Sequence, residues 1–547
     1  PIYQRGLALY LSQRFRYMNK NKSPNLASTL NTSIDRRRFL SGSLATGAAL
    51  GAGSLMSGNV MAMSPQKGGT LRVGFTQGAT SDSTDPATFN NDFMFTYAYG
   101  VFNNLTEIAP DGSLVPELAQ SWQATPDAKT WTFNLRHGIQ FHNGKELNSQ
   151  DVIASINHHR GEKSKSSAKP LLADIASIKA VDTYTVEIQL TGGNADFPFI
   201  FSQYNLVIHP SNGNGIDTSS MNGTGAYKVK RFEPGVGALY QRNENYWKEG
   251  RAHLDEIEII LISDPAARLN ALTTGEVDLI DRPDLKTLHL LKRRKGLRVE
   301  QTTGTKHYTL PMLSDVAPYN DNNVRQALKY AIDRQEMVDK ILKGYGVVGN
   351  DHPIGPAMPF FNNELKQREY DADKSRFYLK KAGLNKLDIK LNLADSAWGN
   401  DTVNAGVLFS ETSAKAGINI EVVREPNDGY WSNVWLKKPF CASYWGGRPT
   451  ADWMFTTAYA DGVSWNESRW SHEKFNQLLV SARSELNQER RREMYFDMQS
   501  MVHDEGSTII PMFGNYVIAM NDKVQHGQIA SNWDLDGLRF MERWWVS

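Results

Sequence analysis

The sequence predicts a mixed α/β fold of more than one domain, and three observations carry that prediction. Gly69–Phe75 and Thr130–Arg136 alternate apolar and polar residues as strands do. Asn323–Arg334 places Val324, Ala327, Leu328 and Ala331 on one helical stripe. The chain has 547 residues, more than one hydrophobic core usually organises.

The N-terminal segment reads as a leader. Residues 1–62 hold eight basic side chains against Asp35 alone, so the remainder of the chain is acidic by six charges. A mildly acidic body gives no footprint for nucleic acid. Arg36-Arg37-Arg38-Phe39-Leu40 precedes a stretch without charge that reaches Gln66. Four glycines dilute Phe39–Met56, which makes a poor transmembrane span. Val60-Met61-Ala62 supplies small residues for cleavage near Ala62. Paired arginines with weak hydrophobicity point to export by the twin-arginine machinery. Met18 opens a conventional basic n-region, so translation is expected to begin there and residues 1–17 to be an over-extended reading frame. No cysteine near the cleavage point offers a lipid attachment. Cys441 is the one cysteine, flanked by Phe440 and Ala442, and is expected as a buried strand thiol.

Beyond the leader, the first strand Gly69–Phe75 leads through a loop with Asp82, Asp85 and Pro86 to a helix over Asp92–Asn103. Pro110-Asp111-Gly112 is a turn. It is followed by Leu114-Val115-Pro116-Glu117-Leu118-Ala119 and Ser121-Trp122. The strand Thr130–Arg136 puts Trp131, Phe133 and Leu135 on one face. Phe141-His142-Asn143-Gly144 turns the chain again, and Asn148 or Ser149 caps a helix that runs to about His159. Ser507–Phe513 is a buried-strand run.

This series closely resembles the extracellular solute-binding proteins of the peptide-transport class, the periplasmic receptors of ABC importers. Asn222-Gly223-Thr224-Gly225-Ala226-Tyr227, Asp264-Pro265-Ala266-Ala267-Arg268, Gly275-Glu276-Val277-Asp278 and Asn323–Arg334 extend the resemblance, which covers about residue 69 to the end. It implies a two-lobed periplasmic-binding-protein fold with a ligand cleft. One lobe would comprise 63–300 plus 506–547, with an extra subdomain at about 110–220, and the other 301–505. The implied function is capture of a small or peptide-like solute by lobe closure and its delivery to ABC permease subunits, by a monomer that is not an enzyme. A ligand-sensing or chaperone protein on the same fold is the alternative class.

No His-Glu-x-x-His, Gly-x-Ser-x-Gly or phosphate loop is present, and no cofactor or metal is expected. His158-His159 reads as a surface cap. Asp504-Glu505, taken as strand neighbours, would point to opposite faces and make poor acid–base partners.

Ser443–Trp453 is the candidate binding segment. Gly446 and Gly447 let backbone approach a ligand, and Arg448 can hold a carboxylate with two parallel hydrogen bonds. In the peptide-binding members, an Asp after the equivalent of Trp445 pairs with the ligand's α-ammonium; here that position falls on Arg448. Reversed charge implies a ligand with a carboxylate: an opine-like conjugate, or an acidic or blocked peptide. The rival is an internal Arg448–Asp452 pair, with a di- or oligopeptide as ligand. By the resemblance, Trp445 and Trp465 line the pocket, with Tyr444 and Trp398 as weaker candidates, and Trp435 and Trp453 are as readily core. Thr76, Gln77, Phe93 and Tyr97 would face the cleft from the first lobe. Arg424 is a further anion candidate, although on the strand Ile420–Arg424 it reads more simply as an exposed charge.

Overall fold

The computed structural model describes residues 64–547 apart from 163 and 400. The expected signal segment, the Met18 start and the cleavage near Ala62 lie outside the described residues. Met63–Ser547 forms one compact unit.

A nine-stranded sheet is the backbone of this unit. Thr70–Phe75 lies at its centre, parallel to both Glu256–Leu261 and Leu279–Asp281. Gly237–Arg242 and Tyr227–Glu233 extend one side antiparallel. On the other side stand the two longest strands, Leu297–Pro311 and Thr508–Asn521, which pair antiparallel over nearly their whole lengths. Their register slips between Thr303 and His307. Beyond the slip, Ser443–Trp445 adds to the sheet as its edge strand.

The two long strands connect separate cores. In one, Leu71, Val73, Ile257 and Ile259 pack with Ile518, Phe540 and Trp544 of the C-terminal return. In the other, Leu310 and Met312 pack with Val324, Leu328, Leu391 and Phe409. These are the two lobes. A four-stranded antiparallel sheet built from Ala119–Ala124, Thr130–Leu135, Thr185–Leu190 and Ile175–Asp182 carries a third core. There Trp131, Phe133 and Leu135 are buried together, as the alternation predicts.

Local sequence accounts for the element ends. Asn148 caps Ser149–His158 in a reciprocal capping box with Asp151. The helix Asn322–Ala331 buries Val324, Ala327, Leu328 and Ala331, and it also buries Lys329 completely. The Lys329 ammonium donates to the carbonyls of Val502 (3.2 Å) and His503 (2.8 Å), while Arg325 donates to that of Glu505 (2.8 Å). These donors satisfy the orphan carbonyls that close the helix Gln488–Glu505. Asp504 and Glu505 therefore end a helix, where a strand was expected. His159, expected at the surface, is buried with Nδ1 2.6 Å from the Ser166 hydroxyl, and burial pushes its pKa down to about 4. His158 instead meets Asp85 at 2.7 Å. Cys441 is buried beside Asn392 through an isolated bridge, and burial raises the pKa of its thiol.

Candidate functional site

The edge strand positions the site. His307 stands opposite Trp445 and Tyr308 opposite Tyr444, so these pairs share faces of the sheet. After Trp445 the chain must turn sharply to start the helix Ala451–Ala458, whose N-cap Thr450 accepts from the Trp453 amide at 3.2 Å. Gly447 makes that turn with φ +81°, and a Cβ there would lie 2.4 Å from Thr305. The Thr305 hydroxyl in turn donates to the Gly446 carbonyl at 3.2 Å. Gly446 faces open space. Gly447→Ala is expected to cost about 1–3 kcal/mol of stability and to displace Arg448, with Gly446→Ala as the unaffected control. Equal melting curves for the two variants would refute the close approach at Thr305.

Arg448 lies on this arc, half-buried. Its guanidinium is 5.6 Å from the Trp445 ring centroid, and Nη1 donates to the Gly447 carbonyl at 2.7 Å. Among the described residues, no carboxylate lies within 4.0 Å of it. Burial pulls its pKa below the usual arginine value, and the Tyr204 phenol works the other way. Asp452 does not neutralise it. The Asp452 carboxylate instead meets Arg483 Nε at 3.3 Å, and Arg483 also donates to the Thr456 hydroxyl. The internal Arg448–Asp452 pair is thus replaced by an Asp452–Arg483 pair, because the helix beginning at Ala451 turns Asp452 toward the helix Glu473–Ser484.

Burial raises the Asp452 pKa to about 6, against the pull of Arg483 and with a push from Asp196. The sign follows: the folded state favours the protonated form, so this contribution to stability is full below the ordinary carboxylate value and is lost as pH rises through about 6. Asp452→Asn, which cannot ionise, is expected to flatten the stability profile between about pH 4 and about pH 6. Denaturant midpoints across that range test this; an unchanged slope would show that Asp452 titrates normally.

Around Arg448 runs a wall of aromatic rings. Trp465 is 47% exposed and stands 5.9 Å from Trp445. Trp435 follows at 6.4 Å from Trp465, then Trp431 at 5.9 Å, and Tyr444 at 5.7 Å from Trp431. Trp431 is 39% and Tyr444 41% exposed, which is unusual for rings this large in a folded core. Trp398 supports the strand from behind: its Nε1 donates to the Ser443 carbonyl at 2.6 Å, and its ring meets Tyr308 at 5.4 Å. Beneath the wall lies Glu467, a buried carboxyl that accepts from Trp435 Nε1 (2.9 Å) and the Thr309 hydroxyl (2.8 Å); burial raises its pKa. Trp453 is half-buried, and Arg424 is an exposed charge paired with Asp395 at 2.7 Å.

The first-lobe candidates differ in burial. The Thr76 amide and hydroxyl both donate to Asp281 Oδ1, at 2.8 and 2.6 Å, and Gln77 is half-buried beside it. Phe93 and Tyr97 require correction, since both are fully buried in the lobe's core. Phe93 stacks on Phe232, and Tyr97 packs edge-on to Phe89. All ten residues of Asp92–Val101 are buried, so the helix has no open face to offer a ligand.

Two features escaped sequence reasoning. Tyr204 stacks on Phe95 with ring centroids 3.5 Å apart and stands 6.1 Å from Trp533. Its phenol is pushed up to about 12 by burial and by Asp92, with Arg448 pulling back. Arg282 pairs with both Asp92 and, at 3.2 Å, Asp534. Burial pushes Asp534 up to about 7 despite Arg282. Among the described residues, no group of three or more His, Cys, Asp or Glu is arranged to hold a metal, and no helix is long and apolar enough to cross a membrane. The arrangement offers a cation on an aromatic bed, suited to grip an anion.

Comparison with known proteins shows the family and the fold. Residues 113–467 match the family described as bacterial extracellular solute-binding proteins, family 5, middle part. The dipeptide-binding protein of Escherichia coli K12 is 24% identical over 477 residues, covering 80% of this chain and 85% of its own. HbpA2 of Haemophilus parasuis superposes with a TM-score of 0.78 at 22% identity, over 88% of this chain and all of its own. AgaA of A. tumefaciens R10, solved with agropinic acid, gives a TM-score of 0.67 at 23% identity, over 88% of this chain and 99% of its own. These likenesses establish the two-lobed periplasmic-binding-protein fold, and the chain belongs to the bacterial extracellular solute-binding proteins of family 5, the substrate-binding receptors of ABC transporters.

Proposed function

We propose that this receptor captures a small solute bearing a carboxylate, gripped by Arg448 and stacked against Trp445 and Trp465, and delivers it to an ABC permease. The observation that carries this reading is the half-buried Arg448 guanidinium with no carboxylate near it among the described residues. A buried cation without a counterion is unfavourable until a ligand supplies one. Charge-assisted contacts contribute about 1.5–3 kcal/mol each, and lobe closure would exclude water from them. The ligand class is an opine-like conjugate or an acidic or blocked peptide. The relative solved with agropinic acid supports that class, whereas the dipeptide-binding relative marks the classical peptide receptor as the competing one.

The rest of the reading is that the receptor acts as a periplasmic monomer, exported by the twin-arginine route and cleaved near Ala62, with one lobe formed by 63–300 plus 506–547 and the other by 301–505. Native mass spectrometry of the purified protein, followed by thermal-shift measurements, tests the ligand class. Carboxylate conjugates are expected to raise the melting temperature, and dipeptides with free N-termini are not. Stabilisation by free dipeptides alone would overturn the proposal.

A further inference from the structure

The segment that follows the buried strand Leu279–Asp281 concentrates charge of one sign. From Leu285 to Val299 there are six basic residues and no acidic one, in a body that is otherwise acidic. Its single helical turn, Leu288–Leu291, buries Leu288 and Leu291 against Val277, Ile280 and Val517. The turn is thereby fixed in orientation, and it presents His289 and Leu290 outward, with Leu290 51% exposed. Lys292, Arg293, Arg294 and Lys295 follow, all exposed. Among the described residues, none of these four has a carboxylate within 4.0 Å. Lys292 reaches over the Tyr345 ring at 5.0 Å, and Arg294 touches the Thr273 carbonyl at 3.5 Å. Lys286, at the other end, meets Asp401 at 3.4 Å. The nearest acids in sequence, Asp284 and Glu300, stand outside the run.

We infer that this surface, Leu290 with Lys292, Arg293, Arg294 and Lys295 following it in the chain, docks the receptor onto the anionic headgroups of a lipid bilayer. Lysine and arginine near such a surface are attracted within a Debye length, and an apolar tip among them enters the headgroup boundary. A lone aliphatic tip beside a basic run, with no surrounding apolar patch among the described residues, matches shallow insertion at a headgroup boundary more closely than a packed protein interface, whose centre is a larger apolar area. The net negative charge of the remaining body is repelled by the same headgroups, so contact would be confined to this side of the molecule. The inference is independent of what the cleft binds.

Vesicle co-sedimentation tests it, with the purified chain examined both whole and from Met63 onward. Vesicles containing phosphatidylglycerol are expected to bind the protein, with affinity falling as salt rises; pure phosphatidylcholine vesicles are not. Each basic residue removed should weaken binding about fivefold. Replacing Lys292, Arg293, Arg294 and Lys295 together by Gln should therefore cost at least about a hundredfold, with the melting temperature unchanged, since all four are exposed. Leu290→Asn should cost a few-fold more. Equal binding to both vesicle types, no binding to either, salt-insensitive binding, or full binding by the Gln variant would each overturn the inference. So would crosslinking through this surface to an acidic protein in the absence of vesicle binding.

Discussion

Arg448→Asp is expected to abolish retention of the natural ligand. Two effects add. The substitution removes the donors that would hold the ligand's carboxylate, and it places a second negative charge against that group. Breaking a close charge pair by truncating one member costs about 2–5 kcal/mol, so the loss should be a hundredfold or more in affinity, and reversal of sign makes it larger. Arg448→Lys is the informative companion, because it keeps the charge but loses the planar fork and should retain weak binding. Arg448→Asp also supplies a carboxylate with which a ligand's α-ammonium could pair. Free dipeptides, which should leave the wild type's melting temperature unmoved, are expected to raise that of the variant. Native mass spectrometry of each purified protein reads the first effect and thermal shift the second. Unchanged ligand occupancy in Arg448→Asp would end the anion reading.

Glu117→Gln should be the most destabilising single change in the first lobe. Glu117 is fully buried. One carboxylate oxygen accepts from Lys248 (2.7 Å), Asn103 (2.9 Å) and Arg539 (2.9 Å), and the other from the Asn104 amide (3.0 Å) and a second Arg539 nitrogen (3.2 Å). Glu107 and Glu542 join the same cluster, as do Arg543 and, 2.9 Å from it, Asp536, giving four acids against three bases. Burial alone would raise the Glu107 pKa, but Lys248, Arg539 and Arg543 overcome it and hold the group well below the carboxylate range. Neutralising Glu117 leaves the buried Lys248 and Arg539 without the carboxylate they share, a change that costs about 3–5 kcal/mol. Glu117→Gln with Arg539→Met should recover a large part of that loss, because the guanidinium left without its partner is removed as well. Denaturant titration of the single and double variants decides. A single variant within about 1 kcal/mol of wild type would show that the cluster relaxes freely.

The same cluster shows what the sequence made legible. The run Leu114–Ala119 points to a family without revealing why an acid stands in it. The reason is Arg539, 422 residues away, and no local pattern reports a pairing at that separation. Strands such as Thr130–Leu135 are readable because their alternation is set by one buried face. The helix Asp92–Val101 has no such asymmetry, so its aromatic residues give no sign of whether they face a ligand or the core, and Phe93 and Tyr97 proved to be core. In the candidate site, Arg448, Trp445 and Trp465 were visible as residue types, whereas Tyr204 and Trp533 come together only through folding. The rival Arg448–Asp452 pair is suggested by nearness in sequence, whereas the partner of Asp452 is Arg483, near only in space.

The pairing of Leu297–Pro311 with Thr508–Asn521 has a further consequence. The two strands are hydrogen-bonded neighbours, so the proposed closure would be a torsion of one ribbon, whose ladder the register slip between Thr303 and His307 interrupts. Gly304 belongs to that slip; a side chain there would meet the Tyr516 ring at 2.7 Å and the Gly514 carbonyl at 2.9 Å. The stiffness of the ribbon sets how often the unliganded receptor visits its binding-competent form. Measured affinity is the intrinsic grip of the cleft multiplied by that fraction. Two receptors with identical pocket residues can therefore differ in apparent dissociation constant through these strands alone, and selection can tune uptake to solute concentration without altering which solute is recognised.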